Sequence, residues 1–174
     1  MFTLLTGGAR SGKSTAALQL AARADAPVTF IATATAGDDE MADRIRRHQA
    51  ERPASWSTIE EPVELAQAVA TVDAGATLVI DCLALWVTNQ LDSVDADVWQ
   101  RAERLGDLLA SRSGDSIVVT NEVGLGIVPL NELARRFRDL LGSVNQRVAA
   151  HADRTLLCVA GGVVPVADLG TLDA

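Results

Sequence analysis

The chain's richest chemistry lies near its start. Gly7-Gly8-Ala9-Arg10-Ser11-Gly12-Lys13-Ser14 matches the pattern G-x-x-x-x-G-K-[S/T], and it follows an apolar run and opens a helical pattern. Such a loop binds phosphate. Its glycines let several backbone N–H groups converge on one anion, and the positive end of the next helix adds to their field. Lys13 supplies a compact cation for the β- and γ-phosphates of a nucleotide, and Ser14 offers a hydroxyl to Mg²⁺. A second carboxylate is expected at a neighbouring strand end to organise that metal. Asp81, straight after Leu78-Val79-Ile80, supplies one, with a plain helix N-cap as the structural alternative. Glu122 ends the run Ile117-Val118-Val119-Thr120 in the same way and competes for the role. Gly124-Leu125-Gly126 is half of a dinucleotide fingerprint, but Pro129 stands where the third glycine would fall, so it reads as a flexible loop near the ligand.

There are two histidines, His48 and His151. Met41, Arg44, Ile45, His48 and Arg52 share one helical face by i, i+3 and i+4 spacing. A packed histidine at a helix end is the bland reading of His48. The functional one is a nucleophile: a neutral imidazole can attack phosphorus, and Arg44, Arg47 and Arg52 can offset the triphosphate charge that repels it. His151 falls where the last helical pattern ends and reads as a C-terminal cap.

These groups need elements to hold them. Strands are predicted over Phe2-Thr6, Val28-Ala32, Thr77-Asp81, Ser116-Thr120 and Thr155-Ala160. Helices are predicted over Lys13-Ala24, Asp38-Ala50 (N-cap Asp38 or Asp39), Glu64-Val72, Asp95-Ser111 and about Asn131 to Ala150. On the last helix Leu133, Phe137, Leu140, Leu141 and Val144 are expected to pack on the sheet. The tail after Gly161 reads as short and loosely ordered. Strands without alternation, separated by helices, argue for a parallel sheet covered on both faces. The expected fold is therefore α/β: a P-loop NTPase-type three-layer fold with a mostly parallel central sheet, in one domain over residues 1–174.

Composition sets the outer limits. At 174 residues, 48% of them hydrophobic and 22% charged, the chain is globular and large enough for a core without staples. A net charge of −8 argues against binding nucleic acid or anionic membrane non-specifically. The longest apolar stretch, Thr77 to Val87, is interrupted by Asp81 and is too short to span a bilayer. No secretory leader pattern opens the chain. Cys82 and Cys158 both lie in apolar runs, which suits reduced, buried thiols in the cytoplasm, and no paired Cys/His spacing suggests zinc. Fourteen arginines accompany one lysine, and that lysine is Lys13.

Taken together, the motifs resemble the bifunctional adenosylcobinamide kinase/adenosylcobinamide-phosphate guanylyltransferase family of cobalamin biosynthesis. The resemblance runs over nearly the whole chain. It rests on Thr6 to Ser14, Ile31-Ala32-Thr33-Ala34, Asp38 to Ala42, Arg44-Ile45, His48, Arg52-Pro53 and Trp56. It continues through Asp81-Cys82-Leu83, Thr88-Asn89, Thr120 to Pro129, Arg138-Asp139, Gly142 and Val144-Asn145-Gln146-Arg147. A phosphate loop alone is shared by many families; the helix of His48 together with Thr-Asn-Glu-Val-Gly is far more specific. The resemblance implies that ATP or GTP phosphorylates the hydroxyl of adenosylcobinamide. GTP then gives GMP to a histidine, here His48, from which it passes to the new phosphate. It also implies nucleotide contacts at Gly7, Gly8, Ala9, Arg10, Ser11, Gly12, Lys13 and Ser14. Further contacts fall on Thr33, Ala34, Thr35, Gln49, Ala50, Glu51, Arg52, Glu60 and Asp81. Some members carry Glu at the position of Asp81, which preserves a metal role. A homotrimer is implied, with the large corrinoid held partly by a neighbouring subunit. The competing readings are a small-molecule kinase without nucleotidyl transfer and a nucleotide-gated switch.

Overall fold

The computed structural model describes residues 1–167. Strand β1 (Phe2–Gly7) runs into the phosphate loop, and α1 (Lys13–Ala21) follows. Then come β2 (Val28–Ala32), α2 (Asp39–Ala50), β3 (Ser57–Glu60), α3 (Leu65–Thr71), β4 (Thr77–Asp81) and α4 (Leu83–Thr88). The chain continues with α5 (Asp95–Ser111), β5 (Ser116–Val119), α6 (Glu132–Ala149), β6 (Arg154–Val159) and β7 (Gly162–Val166). The strands form one sheet in the order β3-β2-β4-β5-β1-β6-β7. All neighbouring pairs are parallel except β6 with β7. The fold is α/β, with helical layers on the two faces of a mostly parallel sheet.

The inner strands are largely apolar because both faces are covered. Leu4, Leu5, Ile31, Leu78, Val79, Ile80 and Val118 are fully buried. Helix α1 lies against β1, β4 and β5, while α3, α4, α5 and α6 pack on one another. From α6, Leu140, Leu141, Val144 and Val148 enter the common core, and Phe137 is half-buried against it. Leu133, expected to face the sheet, is 56% exposed. It lies in the first turn of α6, before the helix reaches its partners.

Three elements lie outside the sequence reading. β3 carries only Ile59 half inside, too weak an alternation to stand out. α4 is a short, apolar continuation of the β4 run, closed by Trp86, whose Nε1 donates to Val63 O at 2.7 Å. β7 corrects the expectation of a loose tail. Ala160 and Gly161 turn the chain at φ 50° and 80°, and residues 162–166 return antiparallel along β6. The rest of that tail lies outside the described residues. His151 is likewise not a cap: its Nε2 is 3.1 Å from Glu103 Oε2 and its Nδ1 3.4 Å from Asp107 Oδ1, so it ties the end of α6 to α5.

Candidate active site

In a parallel sheet ligands gather at the C-terminal strand ends, where the loops open. The phosphate loop lies there, at the end of β1. Gly7 has φ 147°, and a Cβ on it would meet Cys158 O at 2.4 Å, so no side chain fits. Gly12 caps α1 with φ 99° and touches the β6–β7 turn, whose Gly161 N–H donates to Ser11 O at 3.0 Å. The last hairpin thus braces the loop from below. Lys13 is buried and its Nζ donates to Gly8 O at 2.7 Å, holding the loop closed on itself. Burial pushes its pKa below the ordinary lysine value, while Asp81, near enough to act on it, pulls the other way. The Ser11 hydroxyl is buried and has no hydrogen-bond partner among the described residues. An unmet polar atom inside a cradle of N–H groups is what an incoming phosphate oxygen satisfies.

Asp81 ends β4 opposite Ala32 of β2 and Val119 of β5. Its neighbourhood is tied together by Thr33. The Thr33 hydroxyl donates to Cys82 O and accepts from Cys82 N, both at 2.8 Å, and the side chain is fully buried. Thr33 therefore positions the strand ends, leaving Ala34 half-buried and Thr35 exposed beside the site. Asn89, at the end of α4, donates to Thr33 O at 2.8 Å and Pro62 O at 3.1 Å. On the adjacent strand, buried Thr120 donates to Asn145 Oδ1 at 2.6 Å, and Asn145 Nδ2 donates to Asn121 O at 3.0 Å.

A second cluster forms around the end of α2. Gln49, Arg52, Pro53, Ala54, Trp56, Thr58 and Glu60 line a cavity of about 380 Å³. Gln49 Nε2 donates to Glu60 Oε1 at 3.1 Å. The Arg52 guanidinium stacks 3.7 Å over the Phe30 ring, and burial lowers its pKa. Ala50 and Glu51 face solvent beside this cavity. Asp38 caps α2 by accepting from Met41 N at 2.8 Å. Every residue of α2 keeps some exposure; Met41, Ala42, Ile45 and His48 form its half-covered face. His48 Nδ1 lies 3.7 Å from Glu51 Oε2. Arg44, one turn before His48, is near enough to Lys13 to depress its pKa.

The two clusters share one edge of the sheet. β3 is four strands from β1, about 19 Å at the usual spacing of about 4.8 Å. The expected residues thus gather as a phosphate-loop group, Gly7 to Ser14 with Asp81, and a group around His48, Gln49, Arg52 and Glu60. Helix α2 arches between them. Sequence reasoning overlooked Phe30 under Arg52, which only the pairing of β2 with β3 places there. A smaller cavity of about 170 Å³ lies at the opposite strand edge, near Met1 and Asp115, away from the phosphate-binding groups.

The family model for cobinamide kinase / cobinamide phosphate guanyltransferase matches residues 3–166. The chain belongs to this family. Among relatives of the cobinamide kinase / guanyltransferases is a bifunctional adenosylcobalamin biosynthesis protein, CobP, of Pseudomonas aeruginosa. It is 46% identical, over 95% of this chain and 97% of the relative. The bifunctional adenosylcobalamin biosynthesis protein CobU of Salmonella typhimurium is 44% identical, over 92% and 97%. Solved structures share the fold at low identity. The RadB recombinase aligns at TM-score 0.52 and 16% identity over 90% of this chain and 73% of its own. A type III secretion ATPase of pathogenic bacteria aligns at 0.58 and 11%, over 90% and 51%. The cobinamide kinase / guanyltransferase chain thus carries a P-loop NTPase-type fold.

Proposed function

We propose that this chain phosphorylates adenosylcobinamide with ATP or GTP and then transfers GMP from GTP to the product through His48, giving adenosylcobinamide-GDP. Family membership supports the pair of reactions. The observation that carries the assignment to His48 is its place on the half-covered face of α2, between Arg44, Arg47 and Arg52 and beside the Gln49–Glu60 cavity.

In the first step the acceptor oxygen bonds to the γ-phosphorus, and the nucleoside diphosphate leaves with the electron pair of the broken P–O bond. The phosphate loop, Lys13 and the Ser11 hydroxyl bind and orient the phosphates. In the second step a lone pair of His48 attacks the α-phosphorus of GTP and pyrophosphate departs. Glu51 Oε2 lies 3.7 Å from Nδ1, so Nε2 is the ring nitrogen left clear for the attack. The phosphate of adenosylcobinamide phosphate then displaces His48 from the same phosphorus. Two in-line displacements leave its configuration retained. Thr33, Ala34 and Thr35 shape the strand-end loop beside the nucleotide, and Gln49, Ala50, Glu51, Arg52 and Glu60 surround the guanine end. The carboxylate of Glu60 suits the N–H edge of guanine.

Ser14 and Asp81 are the groups that would hold Mg²⁺. Among the described residues no group of three or more His, Cys, Asp or Glu converges. Two protein oxygens suit an ion that keeps its waters and takes phosphate oxygens. Bound there, it neutralises charge on the phosphates. Nucleotide substrates and two buried free cysteines support a cytoplasmic enzyme; among the described residues no helix is long and apolar enough to cross a membrane. We further propose that residues 1–174 act as one domain within a homotrimer.

Intact mass spectrometry after incubation with GTP and Mg²⁺ tests the His48 assignment. The protein gains one acid-labile GMP, and His48→Ala gains none. A folded, GTP-binding protein without adduct reduces the chain to a kinase.

A further inference from the structure

The site holds one strand-end carboxylate that the reactions above leave unused. Glu122 sits three residues past β5, the strand between β1 and β4. Its N–H donates to Gly7 O at 3.0 Å, continuing the pairing of β5 with β1 into the first glycine of the phosphate loop. Just before it, the Thr120–Asn145–Asn121 bonds fix the backbone. The side chain is half-buried, and Oε1 accepts from Gly124 N at 2.6 Å, so one carboxylate oxygen is steadied by its own loop. Asp81, by contrast, ends β4 and is near enough to Lys13 to act on it electrostatically. Glu122 opens the loop whose Leu125, Ile127 and Leu130 are almost fully exposed. It therefore stands between the first glycine of the phosphate loop and the open loop at the strand ends.

The two half-reactions differ in their need for a base. An alcohol attacking phosphorus must lose its proton, whereas a neutral imidazole attacks with a lone pair and a phosphate attacks already ionised. We propose that Glu122 is the catalytic base of the phosphorylation step alone. The acceptor O–H donates to Glu122; as the new O–P bond forms and the β–γ bridge breaks, the proton passes to the carboxylate and from there to water. This inference rests on the kinase reading and deepens it.

Glu122→Gln keeps an acceptor for Gly124 N–H while removing the basic oxygen. With ATP and adenosylcobinamide, its kinase kcat falls by about 10²–10⁴-fold with little change in KM for ATP, and the acid limb of the wild-type pH–rate profile disappears. With GTP alone, the GMP adduct still forms. Kinase activity within tenfold of wild type overturns the proposal, and so does joint loss of kinase and adduct, which marks a metal or structural role. If Glu122→Gln unfolds at the assay temperature, Glu122→Ala is read instead: rescue by added formate supports the base, and no rescue overturns it. A wild-type enzyme that phosphorylates but takes no GMP defeats the His48 assignment, and the kcat and pH readouts still judge Glu122.

Discussion

At the scale of single residues, burial tunes the site as much as charge does. Lys13 is the one lysine in a chain that otherwise uses arginine, and it is buried with its ammonium folded onto Gly8 O. A planar guanidinium would not fit a socket shaped for a point cation. Cys82, next to Asp81, shows the same control. Burial first, and the Asp81 charge second, push its thiol up to about 12 from 9.0. The folded state then holds this proton more tightly than the unfolded chain. Its contribution to stability is complete below pH 9.0 and is lost between 9.0 and about 12, at up to about 1.4 kcal/mol per pH unit. Thermal melts from pH 8 to 10.5 are expected to fall more steeply for wild type than for Cys82→Ala; parallel curves count against it. Lys13 and His48 were legible in the sequence because each sits in a local pattern. Thr33 was expected as a nucleotide contact, but its bond to Cys82 was not legible, because the two lie 49 positions apart.

Among the elements, α2 and the strand-end loops set the geometry. α2 is held by a cap at its start and by the Gln49–Glu60, Arg52–Thr58 and Arg52–Phe30 contacts at its end. The loop at Thr33 to Thr35 depends on Asn89, whose amide meets two carbonyls. Asn89→Ala leaves both without that donor. It is expected to cost about 1–3 kcal/mol in denaturant unfolding and to raise the KM for GTP. An unchanged KM would mean the loop holds without the amide. The helices and inner strands were readable from period and apolar run length. β3 escaped because Ser57-Thr58-Ile59-Glu60 is polar at three of four positions, as an edge strand can be. α4 escaped because its residues continue an apolar run with no turn signal between. β7 escaped because Pro165 and flanking glycines argue against a strand, though an edge tolerates proline.

Over the whole molecule, one core joins the sheet and both helical layers, while apolar side chains left outside concentrate between Val123 and Leu133. Leu125, Ile127 and Leu130 are 88%, 97% and 99% exposed. A net charge of −8 keeps such a surface soluble until a complementary one covers it. The proposed homotrimer fits that pattern. Light scattering should return three times the 18.3 kDa chain mass, and Ile127→Asp should shift it toward one. A monomeric wild type rules the trimer out.

The position of β1 has a consequence for how the protein is made. Its two neighbours, β5 and β6, begin at Ser116 and Arg154, and the β6–β7 turn that braces the phosphate loop comes later still. β1 thus leaves the ribosome well before either neighbour and is among the last of the described strands to be paired. At roughly 5–20 residues per second, Phe2 to Leu5 wait about 6–30 s with their apolar faces open. Anything that shortens or stalls translation before the last hairpin leaves a nascent chain whose phosphate loop is written but not yet supported.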